Sequence, residues 1–188
     1  MVKPVVAFGD SVLKAEANEI EKGHKGLESL IEDMWETMYS AEGVGLAAPQ
    51  VGESIRLFVV DGTPFGEDDD ACNGFKRVMI NPVIFESSSE QSIMEEGCLS
   101  IPGIRESVLR PNEIRIEYYN KEWELIEEHL KGISARIVQH EYDHLDGVLI
   151  TDHITAVQRR LLHGKLRDIG LGKVSVDYRM RLPKGKVR

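Results

Sequence analysis

QHEYDH, residues 139–144, sets His140 and His144 four positions apart, with Glu141 directly after the first histidine. On a helix, residues four apart share one face at about 6 Å between Cβ atoms, so both imidazoles can reach a single metal ion. Glu141 then points beside the ion, where a carboxylate can take a proton from a metal-bound water, whose pKa a zinc-like ion lowers to roughly 7. Ile133, Ile137 and Val138 give the stretch an apolar face, and the helix is expected from near Ile133 to Gly147. The motif reads as metal-assisted hydrolysis, and the rest of the chain is expected to pack around this helix.

Upstream, Leu27, Leu30, Ile31, Met34, Trp35 and Met38 recur at spacings of three and four, which predicts an amphipathic helix from about His24 to Ala41. GVGLAAPQVG (43–52) follows, a small-residue segment that lets a substrate approach the backbone and leaves Gln50 as the polar side chain able to orient it. It lacks the Lys-Ser/Thr ending of a phosphate loop, so nucleotide binding is set aside. RLFVVD (56–61) reads as a buried strand, 62–76 as an acidic, mobile loop, and RVMINPVIFES as a strand with Pro82 at an edge, end or bulge. Residues 104–130 alternate apolar and polar around a turn near Asn120, as antiparallel strands with one wet face do. GVLITDHI reads as an extended link, TAVQRRLLHGKLRDIG as a basic helix, KVSVDYRM as a last strand, and LPKGKVR as a frayed end. Strands in the middle with helices on either side predict an α+β fold, with antiparallel or mixed strands around the metal-binding helix and one domain spanning 1–188.

Composition fits an ordinary globular chain, 41% hydrophobic and 29% charged, and no apolar run approaches the ~18 residues of a membrane span. The opening MVKPVVAFGD has neither a secretory nor a transit-peptide character, so the expected location is the cytoplasm. Two cysteines make no disulfide framework; Cys72, behind an acidic run, reads as an incidental thiol. Net charge is −9, yet residues 159–188 carry ten Lys/Arg against two Asp. An acidic body repels nucleic acid, so DNA binding is not expected and any polyanion contact is confined to the basic tail, where ribosomal RNA is a candidate partner.

The third metal ligand decides among hydrolases. No glutamate follows Glu141, and the position at which an extended motif has its third histidine is Ile150, although Gly147 occupies the glycine position. His153 and His163 remain as out-of-register candidates. Cys98 lies among small residues upstream, and a thiolate with two imidazoles makes a three-ligand site with one open position. A metallopeptidase of another type, a structural Cys-His-His site and a cysteine hydrolase with Cys98 as nucleophile stay open at this point.

GVGLAAPQ (43–50), EGCLS (96–100) and QHEYDHLDG (139–147) resemble, in order and separation, the three signature segments of the peptide deformylases; FGDSVL and INP (80–82) extend the likeness to about residue 155. The resemblance implies removal of the formyl group from the N-terminal formylmethionine of nascent bacterial polypeptides. By matching position it implies Cys98, His140 and His144 as metal ligands and Glu141 as general acid/base, with Gln50 and the Leu99 backbone N–H facing the oxyanion. It implies ferrous iron, with nickel, cobalt or zinc able to occupy a purified sample. The expected ending in a strand departs from family members that end in a long ribosome-docking helix. Helical spacing places Ile133 and Ile137 on the metal-facing side, and with Val44 and Gly45 they are expected to line a methionine pocket. Glu96 and Arg105 bracket the cysteine segment and are expected to pair and brace it.

Overall fold

The computed structural model describes residues 1–183, 186 and 187. In chain order it contains β1 (Val5–Val6), α1 (Leu27–Ser40), β2 (Gly45–Ala47), β3 (Leu57–Asp61) and β4 (Lys76–Ser87). Then come β5 (Gln91–Gly97), β6 (Arg105–Pro111), β7 (Glu113–Tyr119), β8 (Leu125–Lys131) and α2 (Gly132–Leu145). The chain closes with α3 (Ala156–Gly170), β9 (Met180–Leu182) and β10 (Lys186–Val187). The expected α+β arrangement is found, with α2 as the motif-bearing helix.

Strands β2, β3, β4, β7 and β8 form an antiparallel sheet in that order. Its centre is apolar on both faces, which explains the uninterrupted LFVV of β3: Phe58 and Val60 face α2, whereas Leu57 and Val59 face α1. From α1, Ile31, Met34 and Met38 are buried against the second face, each burial stabilising by about 1.5–3 kcal/mol. On β7 only alternate residues are covered: Ile114, Ile116 and Tyr118 pack beneath α2 with Ala135, Ile137 and Val138. A separate hairpin, β5–β6, delivers Cys98 just past its first strand. β1 and β9 pair in parallel, and β9 pairs antiparallel with β10.

Pro82 sits in β4 where the ladder to β7 shifts register between Ile80 and Val83, so its missing N–H interrupts no regular pairing. Asn81 beside it has φ +48° and exchanges two hydrogen bonds with the Ile20 backbone, at 2.8 and 3.0 Å.

Several expectations are corrected. The period-2 pattern of 173–180 is real in burial, since Val174, Val176 and Tyr178 turn inward, but the ladder begins only at Met180 because, among the described residues, no strand pairs with the earlier ones. The expected fraying of LPKGKVR falls partly on 184, 185 and 188, outside the described residues; Leu182 and Lys186–Val187 are in strands. GVLITDHI holds a 3-10 turn at Ile150–Asp152, and α3 runs through Gly164. The acidic loop is anchored: Cys72 is buried, and Asp69 accepts a hydrogen bond from Ile133 N at 2.8 Å, capping α2. That cap explains Gly132, which has φ +56° and at which a Cβ would meet Asp69 Oδ2 at 2.3 Å. Among the described residues no helix is long and apolar enough to cross a membrane.

Candidate metal centre

Helix α2 presents His140 and His144 one turn apart, their ring centroids 5.1 Å from each other and their planes at 79°. Cys98 meets them from the hairpin: its Sγ lies 3.4 Å from His144 Nε2, and the three ligand atoms fall within 4.8 Å of one another. Ligands 2.0–2.3 Å from one tetrahedral ion stand roughly 3.4–3.7 Å apart, so the donor set fits a divalent metal. The alternative ligands are elsewhere. His153 lies 2.7 Å from Asp143, and His163 is on the exposed side of α3.

His140 is oriented from behind. His140 Nδ1 is 2.9 Å from Glu96 Oε2, which leaves Nε2 for the site. Glu96 is buried and also accepts from Arg110 at 2.7 and 3.0 Å and from Arg136 Nη1 at 3.1 Å. Arg110 reaches Asp143 at 2.7 Å, so a connected row of polar side chains runs from His140 to His153. Burial by itself would raise the Glu96 carboxyl, but His140 and Arg110 hold it well below the usual carboxylate range. Arg105, expected as its partner, pairs instead with exposed Glu95, because β5 alternates and places Glu95 and Glu96 on opposite faces.

The thiol and the free carboxylate are tuned in opposite directions. Burial pushes Cys98 up, but His144 and then His140 bring it down to about 5, a thiolate at neutral pH. Burial pushes Glu141 up to about 6 against the pull of both histidines. Among the described residues, Glu141 Oε2 and His144 Nδ1 are the buried side-chain polar atoms without a hydrogen-bond partner. A buried carboxylate oxygen left unpaired beside three convergent donors is free to handle a proton.

Gln50 is buried in the short turn after β2. Its Oε1 accepts from Ala47 N at 2.8 Å, and since that N–H can only donate, the amide NH2 must face the cysteine segment. There Nε2 lies 3.6 Å from Cys98 Sγ and 3.3 Å from Ser100 Oγ. Cys98, His140, Glu141 and Gln50 border one cleft of about 710 Å³. Val44, Gly45, Ile133 and Ile137 also line it, with Leu99, Glu96 and Arg105 at its edges.

Sequence reasoning missed Arg110, Arg136 and Tyr178. Arg136 stands four positions before His140 on the same helical face, and Arg110 falls in phase with buried Val108 on β6. A charge in an apolar phase was the available signal.

The sequence model of polypeptide deformylase matches residues 2–160. A protein of Christiangramia forsetii named peptide deformylase is 46% identical over 193 residues, spanning 99% of this chain and 98% of its own. Its counterpart from Cytophaga hutchinsonii is 47% identical over 183 residues, spanning 97% and 98%. The crystal structure of peptide deformylase from Thermotoga maritima superposes with a TM-score of 0.75 at 43% identity, covering 82% of this chain and 99% of that one. That from Ehrlichia chaffeensis gives 0.83 at 31% identity, covering 92% and 99%.

Proposed function

Because the chain belongs to the peptide deformylase family, metal-dependent hydrolases that release the formyl group from N-terminal formylmethionine, we propose that it performs this reaction in the cleft at Cys98, His140 and His144. The observation that carries the assignment is the convergence of one sulfur and two imidazoles within 4.8 Å beside the unpaired Glu141 carboxylate.

Cys98, His140 and His144 hold a divalent ion, proposed to be ferrous iron, with nickel, cobalt or zinc suited to the same donors. When bound, that ion supplies a Lewis acid and an acidified water. Glu141 takes the proton of the attacking water and delivers it to the amine as the formyl C–N bond breaks; a carboxyl held at about 6 can do both near neutral pH. Gln50 Nε2 and the Leu99 N–H donate to the oxygen that gains charge. Val44, Gly45, Ile133 and Ile137 receive the methionine side chain, and the Glu96 carboxylate keeps His140 turned toward the metal.

The substrates are proposed to be nascent chains in the cytoplasm. Basic α3 and the residues after it supply electrostatic attraction to ribosomal RNA: Arg159, Arg160, Lys165 and Arg167 are exposed on α3. Co-sedimentation of intact and tail-truncated protein with ribosomes at low salt tests that contact, and equal binding ends it. Function itself is tested by anaerobic metal analysis alongside formate release from a formyl-Met peptide. One ion per chain with formate released is expected; turnover that survives complete chelation would instead favour Cys98 as a nucleophile, which its 3.4 Å approach to His144 also permits.

A further inference from the structure

Of the described residues that line the cleft, Ser175, Val176, Asp177 and Tyr178 come from beyond residue 160, where the family match ends. Two constraints fix their course. β9 pairs with β1, with Val5 N donating to Arg179 O at 2.8 Å, and this anchors the chain one residue past Tyr178. Val174, Val176 and Tyr178 turn onto the cluster that holds Cys98, Ile101 and Ile104. Tyr178 therefore enters beside the metal-binding segment, and its hydroxyl donates to the Leu99 carbonyl at 2.8 Å.

The carbonyls of this segment are all tied. Cys98 O accepts from Ile101 N at 2.9 Å and Ser100 O from Phe8 N at 2.9 Å. Both are backbone bonds that side-chain substitution leaves in place, so the Leu99 carbonyl is the one that depends on a side chain. The Leu99 side chain lies close against Gly43, where an added Cβ would come within 2.9 Å of its Cδ1. The Leu99 N–H, by contrast, donates to no acceptor among the described residues. The Leu99 N–H is coplanar with the Cys98 carbonyl, and the Leu99 C=O lies in the next peptide plane; the two planes hinge at the Leu99 Cα, so a tie on the second plane, added to the Ile101 bond on the first, limits their swing about φ and ψ.

We infer that Tyr178 is a positioning residue for deformylation: through the Leu99 carbonyl, its phenol keeps the Leu99 N–H aimed at the oxygen that gains charge. This rests on the oxyanion role proposed for Leu99. The phenol's hydrogen bond goes to the Leu99 carbonyl rather than to a metal ligand, and Tyr178 lies outside the residues that the family's sequence model matches.

Tyr178→Phe removes the donor and keeps the ring that packs against the cleft. In the metal-loaded full-length protein it should lower kcat for a formyl-Met peptide roughly 3- to 10-fold, the scale of one neutral hydrogen bond. KM and metal content should stay at wild-type values, and hydrogen exchange at the Leu99 amide should accelerate. Tyr178→Leu, which also removes the ring, should add a rise in KM. Wild-type kcat and wild-type Leu99 exchange in Tyr178→Phe would overturn the inference, as would a change in KM alone, which would make Tyr178 a wall contact. Absence of formate release from the wild type would instead defeat the proposed function; the exchange rate at Leu99 would still decide whether Tyr178 restrains that peptide.

Discussion

Substitution of Gly45 by alanine tests the placement of Glu141 by adding one methyl group. A Cβ at Gly45 would lie 2.3 Å from Glu141 Oε1, 2.7 Å from Cδ and 2.8 Å from Cγ. Comfortable contact needs about 3.5 Å, so the carboxylate must retreat by roughly 1 Å. Because Cγ is among the crowded atoms, turning the terminal carboxylate does not relieve the overlap, and Glu141 is buried with little room to withdraw. Gly45 itself has no left-handed backbone and pairs with Val60 in the ladder, so alanine suits the strand. The perturbation is therefore steric, falling on Glu141 and on the pocket wall that Gly45 forms. A displacement of about 1 Å in a reacting group costs on the order of 100-fold in rate. Overpacking should also lower stability by about 1–3 kcal/mol. We expect kcat for a formyl-Met peptide to fall about 100-fold in Gly45→Ala, with metal stoichiometry unchanged because no ligand is touched. Wild-type kcat in this variant would refute the assignment of Glu141 as the proton carrier acting from this position.

Gln50→Ala should reduce turnover about 100-fold with the metal retained, the usual loss for one preorganised oxyanion donor, and steady-state kinetics with metal analysis checks both halves. Glu141→Ala should leave metal content intact and formate release nearly absent; substantial residual turnover would remove it from proton transfer. Glu96→Ala should weaken metal binding roughly 10- to 100-fold, read by competition with a chelator, because His140 loses its orienting partner. The same change removes the buried carboxylate that Arg110 and Arg136 share, so urea unfolding should show a loss of about 3–5 kcal/mol. Burial would raise the Asp61 carboxyl, but hydrogen bonds from Thr63 and Tyr39 lower it below its ordinary value of 3.8. A depressed folded pKa contributes stability that is full above the ordinary value and lost as pH falls through the folded one. Unfolding free energy should therefore drop below about pH 4 in the wild type, and less steeply in Asp61→Asn; identical slopes would contradict the assignment.

What could be read from the sequence was local. α2 announced itself through the spacing of Ile133, Ile137, His140 and His144, and α1 through its three-and-four pattern, because both signals lie within a few turns of one helix. Cys98 was reached by chemistry, since two histidines without a third donor make an incomplete site. The Glu96 cluster was not legible. Its arginines come from β6 and α2, 14 and 40 positions away, and nothing in the chain order says that the two elements meet there. Glu95 and Glu96 were distinguishable only once β5 had a definite phase. The segment 173–180 misled for a related reason: alternating burial is common to a paired strand and to an unpaired one lying on a core, and the partner decides between them. That the short end of the chain reaches the active cleft at all depends on the parallel pairing of β9 with β1 across almost the whole sequence.

X-ray absorption at the metal edge of the anaerobically purified protein bears most directly on the shared ion. Cys98, His140 and His144 as joint ligands require one sulfur near 2.3 Å and two imidazole nitrogens near 2.0–2.1 Å, completed by a light oxygen or nitrogen scatterer. A shell without sulfur, or one in which Cys98→Ser leaves the spectrum unchanged, would contradict it.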